Sequence, residues 1–136
     1  MVILFDQFNL PNNIYEVVFA TEQQAVVGKL LIHELKSHDG EMGKTEMSVF
    51  ANRLHDGTLI DMEEKGPMGK LGKKKVKISY NKRQFYDRIL TPMKAMGLVD
   101  YDLYQKKYRI SDRFNKALTK IGFLWSQEVH KQPRII

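Results

Sequence analysis

Lys70, Lys73, Lys74, Lys75 and Lys77 fall within eight residues of one another, and Lys82, Arg83 and Arg88 follow directly. Lys106, Lys107 and Arg109 form a second, smaller group. Side chains of this kind at this density neutralise phosphates, and such contacts supply affinity and position without sequence choice. Arg83, Gln84, Asp87, Arg88 and Thr91 add a different capability: Arg matches guanine, Gln matches adenine, and Asp accepts from cytosine. The plain alternatives are a solvated basic linker for the lysines and an ordinary amphipathic helix for the second set. In such a helix a pair like Arg83–Asp87 adds only tenths of a kcal/mol. The polyanion reading is favoured because the lysine run leads straight into a segment richer still in Lys and Arg.

The distribution of charge points the same way. The chain has 136 residues and a net charge of +6. Residues 1–63 carry −6, residues 64–94 carry +8 and residues 95–136 carry +4. Positive charge concentrated in one middle segment is the footprint of a polyanion binder. The length predicts one domain with a real core, to which seven Phe, six Tyr and one Trp add bulk. Zero cysteines exclude disulfides, thiolate zinc sites and thiol catalysis. Neither a secretory signal nor a membrane-spanning run is visible, which suits an intracellular, cytoplasmic protein without membrane contact.

The base-reading candidates need a helix to hold them. Residues 80–96 supply one: Phe85, Ile89, Met93 and Met96 fall on one stripe, with Tyr86 and Leu90 beside it. The polar set then points the other way. Asn81 with Gln84 reads as a capping box, and Gly97 suits the left-handed residue that ends a helix. Pro92 removes one ladder bond and predicts a kink or break, with Thr91 available as the cap of a separate turn.

Other elements must position this helix. Val2–Phe8 is a short apolar stretch, Leu10–Asn13 is turn chemistry, and Ile14–Phe19 reads as a brief strand or the lead-in to a helix. Thr21 with Gln24 caps a helix over about 22–38, apolar most of the way round, which Ser37–Gly43 ends. Thr45 caps a shorter helix over about 46–55, stopped by Asp56-Gly57. Glu64–Lys75 has three glycines, one proline and five lysines in twelve residues and predicts a mobile surface loop. Leu98–Leu103 and Lys107–Ile110 alternate as two strands of a hairpin with its tip at Tyr104–Lys106, although no glycine marks the turn. Ser111 opens a last helix over about 112–130, whose stripe of Phe114, Ala117, Leu118, Ile121, Leu124, Trp125 and Val129 is expected mostly to pack on the domain. A long terminal helix bearing Trp and Leu also suits a dimer seam.

Other chemistries find little support. His38–Thr45 has the outline of a phosphate-binding glycine loop, but His stands where the first Gly belongs and a helix precedes it instead of a strand. His33, His38, Asp39 and His55 match no metal spacing, so neither metal nor cofactor is expected. No nucleophile elbow and no paired carboxylates appear, and the chain does not read as an enzyme.

Helix, shorter helix, basic-faced helix ending in Gly-Leu-Val, hairpin, final helix: this order resembles a winged helix-turn-helix domain. The residues carrying the resemblance are Phe50–Leu54, Phe85–Leu90 with Met93, Met96–Tyr101, and Tyr108–Ser111. MarR-like or PadR-like regulators are the nearest comparison. The resemblance implies a mainly α fold with a small β-hairpin (α+β), carrying a basic insertion over Asp56–Ile78 between helices two and three. It implies residues 1–20 as an N-terminal arm and 21–136 as the domain, with basic loop 64–77, central helix 80–96, wing 98–110 and C-terminal helix 112–130. The function implied is that of a sequence-selective regulator of transcription on double-stranded DNA, homodimeric through terminal helices. Its phosphate contacts are Lys70, Lys73, Lys74, Lys75, Lys77, Lys82, Lys106, Lys107 and Arg109, and its base contacts Arg83, Gln84, Asp87, Arg88 and Thr91. The alternative is a winged-helix module that binds protein within a transcription or replication assembly.

Overall fold

Asn13, Thr21 and Asn81 each stand in extended or non-helical backbone and turn a side-chain oxygen onto an amide at a helix start. Tyr15 N donates to Asn13 Oδ1 at 2.8 Å, Gln24 N to Thr21 Oγ1 at 3.1 Å and Gln84 N to Asn81 Oδ1 at 3.1 Å. Each bond satisfies a backbone donor that the helix itself leaves unpaired. The computed structural model describes residues 5–65 and 71–133, with backbone alone for 60–65 and 71–76. It is an α+β arrangement of helices with two small antiparallel sheets. In order these are α1 (Ile14–Val18), α2 (Glu22–Ser37), β1 (Glu41–Gly43), α3 (Lys44–Asp56), β2 (Thr58–Lys65) and β3 (Leu71–Ile78). Then come α4 (Lys82–Phe85), a π-helical turn (Tyr86–Leu90), α5 (Thr91–Met96), β4 (Val99–Asp102), β5 (Lys107–Ile110) and α6 (Arg113–His130).

Ile14–Val18 thus forms a short helix, and it brings Phe19 into the core. A Cβ on Gly28 would stand 2.4 Å from the Phe19 ring, so α2 needs glycine where that ring crosses it. From α2 the core takes Val27, Leu31 and Leu35, from α3 Met47, Phe50, Ala51 and Leu54, and from the central helix Phe85, Ile89, Leu90 and Met93. Phe50 and Phe85 meet edge to face at 5.5 Å, the geometry that ring quadrupoles favour. Met42 and Val99 close the core from the strands.

Five expectations are corrected. Ser37–Gly43 does more than end α2: Gly40, at φ +86°, sends the chain into β1, which pairs with β5 in the sheet order β1-β5-β4. Because Met42 is held in that strand, Gly43 takes the N-cap position and Thr45 lies inside α3. Of the stretch Glu64–Lys75 expected to be a mobile loop, residues 64–65 and 71–75 instead belong to a two-stranded ladder, and 66–70 lie outside the described residues. Thr58 pairs with Ile78 and Lys65 with Leu71, while Asp61 lies opposite Lys75 and Glu63 opposite Lys73. β-branched residues and opposite charges across the register favour that pairing. Pro92 neither breaks the helix nor is preceded by a cap, for Thr91 has helical backbone and its amide donates to Tyr86 O, five residues back. One widened turn leaves room for the proline ring and relieves the missing donor. The fifth concerns α6, where only Phe114 is half-buried and the rest of the helix is exposed. Its apolar stripe does not pack on the domain.

The β4–β5 hairpin closes without glycine. Asp102 Oδ1 accepts from Tyr104 N at 2.8 Å and Gln105 N at 3.1 Å, and Lys106 takes the left-handed conformation at φ 55°. Such a side-chain bond mimics a backbone turn, which is how Asp substitutes for the usual Gly signal. Gly97 ends α5 at φ +85°, and a Cβ there would sit 2.8 Å from Phe114 N. Both the backbone conformation and the start of α6 require glycine there. Among the described residues no helix is long and apolar enough to cross a membrane.

Candidate nucleic-acid interface

The central helix divides as its sequence periodicity implies. Phe85, Ile89, Leu90 and Met93 are buried, while Arg83, Gln84, Asp87, Arg88 and Thr91 are all exposed on the opposite side. Arg83 Nε and Asp87 Oδ2 stand 3.9 Å apart in the open, a weak pair that leaves both groups free to exchange partners. The helix start is tied down from α3. Lys82 N donates to His55 Nδ1 at 3.3 Å, Ser79 Oγ donates to His55 O at 3.1 Å, and Tyr80 N donates to Leu54 O at 2.8 Å. The β2–β3 hairpin therefore leaves the domain and returns at one point, between the end of α3 and the start of α4.

Where the lysines fall is uneven. Lys73, Lys74 and Lys75 lie along β3, and Lys70 lies outside the described residues. Lys77 is exposed, its stem lying against Gly57 at the end of α3. Lys82 is half-buried, with Nζ 3.4 Å from Ser48 Oγ of α3. Lys106 is exposed at the tip of the β4–β5 hairpin. Lys107 and Arg109 are engaged within the sheet: Lys107 Nζ stands 3.2 Å from Glu41 Oε1, and Arg109 stands 3.3 Å from Glu41 and 3.1 Å from Asp102. Their charges are largely balanced locally, so of the three hairpin cations Lys106 is the most available.

The structure gathers a group that sequence reasoning passed over. Tyr101 of β4 and Tyr108 of β5 meet at 4.7 Å with their ring planes tilted by 45°, on the sheet face that also carries Val99 and Met42. Lys94 Nζ lies 5.6 Å from the Tyr101 ring and 5.8 Å from Tyr108, and Lys44 Nζ lies 5.5 Å from Tyr101. Tyr86 lies near Tyr108, and its hydroxyl is on the side of Ser48, the residue Lys82 also reaches. Burial pushes the Tyr86 hydroxyl above the ordinary value of 10.0, while its bond to Ser48 pulls the other way. Burial pushes Tyr108 up as well, reinforced by Tyr86 and Tyr101 nearby. With their values raised, the Tyr86 and Tyr108 phenols stay neutral at physiological pH and do not cancel the ammonium charge of Lys94 beside Tyr108. Among the described ion pairs none includes Lys44, Lys82 or Lys94. Lys44 from the start of α3 and Lys94 near the end of the central helix are thus held over a tyrosine pair, while Lys82 reaches Ser48 one turn along α3. The ring faces attract Lys44 and Lys94 without neutralising them. The sequence did contain a signal, the matched Tyr101 and Tyr108 of an alternating hairpin, but the two lysines that meet them come from other elements.

His38 lies between Glu34 at 3.4 Å and Glu46 at 3.2 Å, joining α2 to α3, and His55 serves the helix start described above. Both histidines therefore have structural partners. No family model, no curated protein and no solved structure matches the chain.

Proposed function

We propose that this protein is a winged helix-turn-helix regulator that binds double-stranded DNA and selects its sequence through the central helix. The observation that carries the proposal is the exposed polar face of that helix, Arg83, Gln84, Asp87, Arg88 and Thr91, bordered by the Lys44, Lys82 and Lys94 group. The order α2, β1, α3, central helix, β4, β5, with β1 on β5, supports the winged-helix assignment. In this reading α3 braces the central helix, whose first turns enter the major groove. Lys44, Lys82, Lys94 and Lys106 hold phosphates on the wing side, and Lys73, Lys74, Lys75 and Lys77 do so along the hairpin. Asp61 and Glu63, opposite Lys75 and Lys73 in register, moderate the hairpin's field, so the wing-side lysines contribute the larger share.

A selection from random duplexes tests the proposal. Enrichment of a defined sequence, bound with an affinity that falls steeply as salt rises, is the expected result. Binding that is undetectable on any duplex at low salt would overturn it in favour of a protein-binding module.

A further inference from the structure

The central helix carries a gap in its own hydrogen bonding on the side turned to solvent. In a regular helix the Thr91 amide would donate to Asp87 O, four residues back, and residue 92 would donate to Arg88 O. Thr91 N donates instead to Tyr86 O, and residue 92 is proline, which has no amide to give. The same proline removes the donor that a wider turn would have offered Asp87 O from five residues on. Among the described residues no backbone amide from outside the helix reaches that oxygen. Asp87 O is therefore left without a donor from the ladder. Asp87, Arg88 and Thr91 are exposed, whereas Ile89 and Leu90 between them are buried, so the bare acceptor stands on the polar side. Helix carbonyls on the solvent side tilt outward.

Water satisfies such an oxygen while the helix stands free. Docking removes that water, and an acceptor sealed without a donor costs as much as a lost hydrogen bond, so the covering surface must supply one. The major groove offers two such groups, the exocyclic amines of cytosine (N4) and adenine (N6). Guanine and thymine present only acceptors and a methyl group there, and would set oxygen or nitrogen lone pairs against the carbonyl. The Asp87 carboxylate, held only by the 3.9 Å pair with Arg83, is a second acceptor beside the first and asks for the same partner. We infer that Asp87 O, bared by the wide turn before Pro92, accepts a hydrogen bond from a base amino group, so that the main chain itself selects cytosine or adenine at one position of the site. This rests on the DNA reading above and adds to it a contact that no side-chain substitution removes.

The test separates main chain from side chain by what survives truncation. In a Gln84→Ala/Asp87→Ala/Thr91→Ala variant the exposed side-chain acceptors of this face are gone, alanine favours the helix, and the carbonyl of position 87 remains. Arg83 and Arg88 only donate and cannot replace it. The selected duplex is compared, at low salt so that phosphate contacts hold the complex, with copies in which one cytosine is replaced by 2-pyrimidinone or one adenine by purine. Each analogue lacks only the amino group, and the same exchange at neighbouring positions controls for weaker base pairing. At one position wild type should bind the amino-free duplex about tenfold more weakly, and the triple variant should keep at least about a threefold loss there. The analogue that shows the loss identifies the base. Wild type indifferent to every amino group overturns the inference, as does a triple variant that has become indifferent. In both cases the regulator reading stands, because wild type still selects its sequence. A wild-type chain that selects no sequence is the separate outcome in which that reading fails and takes this contact with it.

Discussion

Replacing Lys44 and Lys94 with alanine tests the reading of the interface most directly. Each ammonium sits 5.5–5.8 Å from a tyrosine ring centre, on the β4–β5 side of the central helix, where the rings orient it without neutralising it. If each holds one phosphate, each binding event releases about 0.9 of a counterion per contact. The double variant should therefore lower the slope of log K against log salt by about 1.8. At 0.1 M salt each contact accounts for roughly an eightfold gain over 1 M, so losing two should weaken binding about 60-fold, or ~2.4 kcal/mol. Loss should be uniform across sequences, because phosphates carry no base identity. Fluorescence anisotropy with a labelled duplex between 50 and 400 mM salt measures slope and affinity together. Stability should fall by about 0.5–1 kcal/mol per cation–ring contact, which a urea titration separates from binding. Lys116→Ala/Lys120→Ala on the far side of α6 serves as the comparison and should leave the slope unchanged. An undiminished slope in the Lys44/Lys94 variant, or an equal fall in the α6 variant, would refute the assignment of phosphate contacts to this cluster.

Arg88→Ala should relax the preference at one base position by about 1–3 kcal/mol, read by competition between single-base variants of the selected duplex. Gly97→Ala should destabilise the fold by at least 1–2 kcal/mol, seen as a lower urea midpoint, since left-handed backbone and the 2.8 Å approach to Phe114 N both oppose a Cβ. Amides Gln105 and Tyr104 on its carboxylate hold the Asp102 pKa below the ordinary 3.8, helped by Arg109. A depressed folded value means the tip is stabilised above the unfolded pKa and loses that stabilisation as pH falls through the folded one. Amide exchange at Tyr104 and Gln105 should therefore quicken below about pH 4, relative to the intrinsic rate, and Asp102→Asn should abolish the change.

Local chemistry was legible wherever neighbours in sequence are also neighbours in space. The caps at Thr21 and Asn81, the stop at Gly97 and the buried stripe of Phe85, Ile89 and Met93 all depend on contacts within four residues or on helical period. The polar face of 83–91 follows from the same periodicity. Features that need a distant partner were hidden. Met42 becomes a strand because β5 lies beside it with Tyr108 opposite, and Lys65 pairs with Leu71 as the far end of a register that begins at Thr58 and Ile78. Pro92 looked like a break because the wider turn that admits it depends on how Tyr86 and Leu90 pack.

The amino-acid order alone determined that a basic middle segment runs into a helix with one apolar and one polar side, since composition and period suffice for that. Tertiary structure decided which cations stand together, because Lys44 and Lys94 are far apart along the chain and meet over Tyr101 only through the packing of α3, the central helix and the β4–β5 sheet. It also decided that the stripe of α6 is bare. Periodicity states that a face is apolar, but only the positions of all other elements determine whether anything covers it.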